Sequence, residues 1–333
     1  MISRVGSGDA ALNALLSRQS GGLREEIIRT SKEMTTGLHA DMGKAVGGDF
    51  SALAAVDHSL ARLKGYGANT AEAGLFAGVM QTALAVISDG TEGLVGSILQ
   101  GSGLTGSIGL GPAVTEAGRV FSSAVGALNT RFSDRSVFSG VNSDAQTLPS
   151  AGDILTALES ATAGATTAAD VQTAIDSWFS DPLGYAAAYG GGGPRAPVQL
   201  APGETSDLSV TAMDPALIDT LKGLATVALL GRGVLAGQPA EREALAQGAG
   251  AALLAAGGGL THLMERVGST QAQIAEAETR NTAEDSALSI LRVGIVGADP
   301  FDAATKLQDL QTRLEALYLI TARVSRLSLA EYI

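Results

Sequence analysis

Residues 260–298 read LTHLMERVGSTQAQIAEAETRNTAEDSALSILRVGIVGA, and their spacing decides the fold. With Leu260 at position a of a heptad, the a positions are Leu260, Val267, Ile274, Asn281, Leu288 and Ile295, and the d positions are Leu263, Thr270, Ala277, Glu284, Leu291 and Ala298. All are apolar but Thr270, Asn281 and Glu284, which is the signature of a long helix packed along one seam. Asn281 and Glu284 read either as partly exposed positions or as a polar layer that sets register. Pro239 starts this helix and Gly297 stops it, with Asp299-Pro300 breaking the chain beyond.

Working outward, a final helix shows Leu307, Leu310, Leu314, Leu317, Thr321, Val324 and Ser328 on one face, widened by Ile320 and Leu327. Near the other end, Leu23, Ile27, Thr30 and Met34 form a second amphipathic stripe, which runs into Thr35-Thr36-Gly37 as a stop and then a loop through Gly43, Gly47 and Gly48. Leu53, Val56, Leu60 and Leu63, then Phe76, Met80, Leu84, Ile87, Leu94 and Ile98, predict a further helical region, long for one helix. After a break at 101–112, Phe121, Val125, Leu128 and Phe132 predict helix up to Arg135.

Between about 141 and 213 the composition shifts to Ser, Thr, Asp, Gly and Pro, including four glycines at 190–193. Val198 to Gly203 predicts a hairpin, while Ile154 to Leu158 and Val171 to Phe179, with a start near Thr167 to Asp170, predict helices. Asp214-Pro215 then caps a new helix. The expected fold is mainly α: a long coiled-coil helical rod formed by N- and C-terminal segments, with a small mixed α/β inserted domain at 141–213.

Composition narrows the function classes. Hydrophobic residues make up 45% of the 333 positions but aromatics only 4%, and with 43 glycines this suits thin helical packing better than a deep core. A net charge of -12 disfavours nucleic acid and anionic membrane surfaces as partners. There is no cysteine, hence no disulfide or thiolate chemistry. The start, Met1 to Asp9, lacks the basic and apolar regions of a cleavable secretion signal. The longest small-apolar run, Ala249 to Leu260, falls short of the roughly 20 residues that span a bilayer.

Catalytic chemistry has little raw material. The three histidines, His39, His58 and His262, have no metal-ligand spacing, and Gly43-Lys44 lacks the glycine at Leu38 and the hydroxyl at Ala45 of a phosphate loop. Glycines at 101, 103, 106, 109 and 111 follow no apolar strand and read as a helix connection. Ser107 and Ser139 lack a nucleophile elbow, and the carboxylates of Glu25-Glu26 and Glu284-Asp285 sit among arginines as solvated faces. No catalytic, cofactor or metal residue is therefore expected.

Three stretches carry a family resemblance: the N-terminal helix ending in Met34-Thr35-Thr36-Gly37, the segment from Asn129 through Phe138-Ser139-Gly140, and the closing Arg326-Leu327-Ser328-Leu329-Ala330-Glu331-Tyr332-Ile333. Their order resembles that of bacterial flagellins, most of all the hook-associated protein 3 branch, the hook-filament junction subunits. Phe138-Ser139-Gly140 stands where that family's Phe-Ser-Gly leads into its variable domain. The loop after Gly37 differs, offering only Asp41 and Asp49 where flagellins carry an acidic turn. The resemblance covers about 1–140 and 214–333.

What the resemblance implies is a structural, non-enzymatic flagellar subunit, exported through the type III apparatus on its uncleaved N-terminus and extracellular once assembled. Its implied partners are flagellin, another hook-associated protein, an export chaperone and copies of itself in a tube, with no membrane insertion. Filament flagellin is the alternative, disfavoured by the Leu-Ser-Leu ending and the lack of an Asn-Thr-Asn start; a cytoplasmic coiled-coil binding module is a third reading. Segments 1–44 and 299–333 are expected to be terminal assembly segments, and 45–140 with 214–298 the helical rod. Leu23, Ile27, Met34, Leu307, Leu310, Leu314, Leu317, Val324 and Leu327 are expected to form the assembly interface, since an apolar stripe of that length is costly to leave in water.

Overall fold

The computed structural model describes residues 5–102 and 110–330, except for the side chains of 5–10, 102 and 325–330. The helices are α1 (Val5–Thr36), α2 (Met42–Ala45), α3 (Ser51–Ser102), α4 (Gly111–Leu128), α5 (Ala151–Thr162), α6 (Ala168–Ser180), α7 (Tyr185–Ala188), α8 (Pro215–Gly231), α9 (Pro239–Val296) and α10 (Pro300–Ala330). The strands are β1 (Arg131–Phe132), β2 (Arg135–Ser136), β3 (Val198–Ala201) and β4 (Glu204–Ser206). The chain is mainly α, with long helices packed together and a small part that mixes short helices and hairpins. It divides into two compact units: Met1–Lys64 with Ala283–Ile333, and Gly65–Thr282.

In the larger unit α3, α4, α8 and α9 surround one core. Gly74 of α3 meets Ile274 of α9 and Gly250 of α9 meets Ile98 of α3, so these two helices run antiparallel. Gly223 against Leu253 and Ala216 against Gly259 make α8 and α9 antiparallel as well. Small residues let the backbones approach: a Cβ on Gly223 would come within 2.5 Å of Leu253 Cδ2. Gly90 packs on Val120 of α4, and Val114 of α4 on Gly231 of α8, which closes the ring.

Segment 141–213 has no separate core. Leu148, Ile154, Leu158, Val171, Ile175, Tyr185, Leu200 and Leu208 are buried in the same apolar cluster as Phe121, Leu128, Leu221 and Leu224 of α4 and α8. Local signals place its helices as the sequence predicts: Ser150 caps α5, and Thr167 and Asp170 form a reciprocal capping box on α6. Asp214 caps α8 with Pro215 in its first turn.

The glycine run lies close against the segment after β2. Gly140 has φ +63°, and a Cβ on it would lie 2.2 Å from the carbonyl oxygen of Gly193, whose own oxygen accepts from Val141 N at 2.9 Å. Phe138 is fully buried beside it, and its carbonyl accepts from Ala212 N.

The hairpin β3–β4, with Gly203 at φ +77°, is tied to both long helices. Asn69 Nδ2 of α3 donates to Gln199 O, while from α9 Gln273 donates to Thr205 O and Asn281 to Leu200 O. Arg280 pairs with Glu204.

Three expectations are corrected. Helix α4 ends at Leu128 and Phe132 belongs to a two-residue hairpin, because Ser133 (φ 47°) and Asp134 (φ 61°) adopt the left-handed turn that a tight hairpin needs. The heptad of α9 is buried from Leu260 to Asn281 apart from the half-buried Thr270, but Glu284 is exposed, Leu288 half-buried and Leu291 51% exposed. Asn281 is the buried member of the two polar positions. Finally, Ser51–Gly101 and Pro239–Val296 each contain a window long and apolar enough to cross a membrane by composition alone, with mean hydropathy 1.4 and 1.2. Counting an unbroken small-apolar run misses them because hydropathy averages over isolated polar residues; 44% and 39% of those windows are buried within the protein.

In the smaller unit α1 and α10 pair antiparallel. Gly37, at φ +66°, ends α1, and its carbonyl accepts from Ala298 N at 2.9 Å while His39 N donates to Val296 O at 2.9 Å. Leu38 thus bridges Gly297, fixing the chain at the start of α1's partner. Asp57 of α3 and Arg292 of α9 join at 2.7 Å.

Candidate assembly interface

Along α10 the least exposed positions are Ala303, Leu307, Leu310, Leu314, Leu317, Thr321 and Val324, at alternating spacings of four and three. Along α1 they include Leu16, Ser20, Leu23, Ile27 and Thr30, on the same period. Only Leu16 (8%), Thr30 (0%), Ala303 (6%) and Leu310 (4%) are fully buried. The others stay half-buried because two helices side by side cover only one flank of each stripe.

Of the expected interface residues, Leu310 is in the seam's interior, and Leu23, Ile27, Leu307, Leu314, Leu317 and Val324 line it. Met34 continues the same period but is 40% exposed. The side chain of Leu327 lies outside the described residues. Thr30 carries no hydrogen-bond partner for Oγ1 despite its burial.

Polar ties flank the seam. Lys306 Nζ lies 3.2 Å from Glu26 Oε1, and Arg24 donates from Nη2 to the Tyr318 hydroxyl at 2.6 Å. Such exposed pairs contribute about 0–1 kcal/mol each and mainly fix register. A recess nearby is lined by Arg29, Lys44 and Lys306 against Glu33, Asp41, Asp299 and Asp302. No group of three His, Asp or Glu side chains among the described residues could hold a metal.

Except for Met34, Leu291 and Ile320, the outward apolar residues are ones that the stripes alone did not single out. In the smaller unit Leu12, Leu15, Ile28, Met34, Phe50, Ile290, Leu291, Val293, Phe301, Tyr318, Leu319 and Ile320 are exposed. The larger unit exposes only Leu75, Val86, Leu99, Val141, Leu183 and Leu254 among its described residues. Charge is divided the opposite way: thirteen Lys and Arg against fourteen Asp and Glu leave the smaller unit at -1, whereas nine against twenty leave the larger at -11. A near-neutral, apolar-rich surface can pack against copies of itself without the repulsion that the larger unit would meet.

No protein-family profile and no curated protein matches the sequence. Among solved structures, FlgL of Bacillus cereus is similar at 14% identity, with 72% of this chain covering 100% of that one and a TM-score of 0.53. The two chains share a fold. A putative flagellar hook-associated protein from Vibrio parahaemolyticus also matches, at 18% identity over 73% of this chain and 92% of that one, with a TM-score of 0.46.

Proposed function

We propose that this chain is a structural subunit of the bacterial flagellum at the hook-filament junction, assembled through α1, α10 and the apolar surface of the smaller unit. The observation that carries the reading is the concentration of exposed hydrophobic side chains in a unit of charge -1. Burying that surface between copies is the favourable step open to it, at roughly 25 cal/mol per Å² of apolar area. The shared fold with FlgL and the sequence resemblance at both chain ends support the same reading.

On this proposal the subunit is not an enzyme and needs no cofactor. It leaves the cell by the flagellar type III route with the help of an export chaperone, works outside the cell, and touches flagellin on one side and another hook-associated protein on the other. Segments 1–44 and 299–333 serve assembly, 45–140 and 214–298 form the rod, and 141–213 is the variable part. Immunogold labelling of isolated flagella tests it: a single spot at the hook boundary is expected, whereas label along the filament means flagellin and no label means a protein of another kind.

A further inference from the structure

Arg195 sits in the coil between the glycine run and β3, half-buried, with its guanidinium carbon 4.5 Å from the centroid of the Phe76 ring on α3. Phe76 is itself braced edge-on by Phe132 at 6.4 Å. A guanidinium stacked on a ring keeps its N–H edge free for a planar acceptor, yet among the described residues Arg195 donates no hydrogen bond and joins no ion pair. Beside it Arg135 of β2 is already paired with Glu72 of α3 at 3.0 Å.

Two guanidinium groups therefore lie near one carboxylate that only Arg135 pairs with, a local excess of positive charge in a unit of net charge -11. Burial and the charge of Arg135 hold the Arg195 pKa below its ordinary value, with Glu72 opposing only in part. These side chains border a recess of about 150 Å³ whose other walls are mostly apolar, Phe76, Ala73, Ala196, Val198 and Leu208, with Asn69 as a polar member whose amide donates to Gln199 O. That is well below the roughly 300–1,000 Å³ of drug-sized and cofactor sites.

We propose that the recess between Phe76, Arg135 and Arg195 binds a carboxylate carried on a short aliphatic chain. The fork of Arg195 matches a carboxylate in two parallel hydrogen bonds, and the apolar walls take the attached carbons, which a free phosphate does not have. Such a group comes from two sources, a small organic acid in solution or the end of an Asp or Glu side chain on a neighbouring copy. The second source rests on the assembly proposed above; the first does not.

Melting of the full chain in sodium propionate against sodium chloride at matched ionic strength tests the first source. A saturable upward shift of the midpoint is expected for the natural protein, absent in Arg195→Gln and weaker in Arg195→Lys. The midpoints of both variants in chloride alone report any lost stacking on Phe76 and serve as their baselines. If the carboxylate belongs to a second copy, propionate gives no shift, and Arg195→Gln instead lowers the yield of assembled oligomers at least several-fold. Leu317→Asp is the control for assembly itself. No propionate shift together with normal assembly of Arg195→Gln, in conditions where Leu317→Asp blocks assembly, overturns the proposal, as does an equal shift from inorganic phosphate. If nothing assembles under any condition, the propionate arm alone decides.

Discussion

Asn281 of α9 donates from Nδ2 to the carbonyl oxygen of Leu200 on β3 at 2.9 Å, with Asn281 only 6% exposed and Leu200 fully buried. A heptad a position is thus given to a polar side chain whose partner is a hairpin, so it sets the register of β3 on the helix. Asn281→Leu leaves the Leu200 carbonyl without a donor, and the loss should be about 1–3 kcal/mol. Denaturant unfolding measures it; an unchanged midpoint means that another group reaches that oxygen.

Two glycines 53 positions apart in sequence make a sharper contrast. Gly140 combines φ +63° with a carbonyl 2.2 Å from any Cβ it might carry, whereas a Cβ on Gly193 meets nothing within 4 Å. Gly140→Ala should cost at least about 1–3 kcal/mol of backbone strain, and Gly193→Ala should change stability by no more than about 0.5 kcal/mol. Equal melting of the two variants would remove the argument that this loop is built on close backbone contact.

An insertion at 141–213 implies that residues 142–212 can be removed without harm to the helices. Because Ile154, Leu158, Val171 and Ile175 share the core of α4 and α8, the deletion uncovers Leu221 and Leu224 and should give an aggregating or molten product. Near-UV circular dichroism of the purified deletion protein distinguishes the outcomes, since a native-like spectrum shows that the four long helices close their core alone.

Where periodicity governed, the sequence was legible: Pro239, Gly297 and Asp299-Pro300 mark the ends of α9 and the start of α10, and Thr167 with Asp170 marks α6. Phe132 failed because one more apolar residue at helical spacing cannot reveal the left-handed Ser133 and Asp134 that turn the chain. The candidate interface was half legible. Stripes find residues such as Leu310 and Leu317, but Ile28 and Ile290 lie off the stripe, and only the packed structure shows that the described residues leave them largely uncovered.

Thr30 offers a gain of stability. Its hydroxyl is buried in the α1–α10 seam without a partner, so Thr30→Val keeps the shape and removes an unsatisfied group. The variant should be more stable by about 1 kcal/mol. Hydrogen exchange across α1 reads the effect locally, and faster exchange in the variant would mean that the hydroxyl is hydrogen-bonded after all.

The last prediction separates the seam within one chain from the surface between chains. Leu310 is 4% exposed, so Leu310→Asp buries an unpaired charge and leaves a gap against α1, at a cost of about 3 kcal/mol or more. It should loosen the α1–α10 pair and therefore block assembly as well. Ile28 and Ile290, at 69% and 74% exposure, touch little in their own chain. Ile28→Asp and Ile290→Asp should move monomer stability by no more than about 0.5 kcal/mol, and the same now holds for Leu291→Asp, which the unbroken heptad would have made damaging. Yet a carboxylate introduced into a surface that identical copies bury must be desolvated in every copy, so assembly of these three variants should fail while their melting stays natural. Sedimentation of full-length variants under assembling conditions, set beside their melting curves, tests both halves. Normal assembly of Ile28→Asp and Ile290→Asp would show that the exposed apolar surface of the smaller unit is not what holds copies together, and would leave the half-buried flank of Leu314, Leu317 and Val324 as the remaining contact.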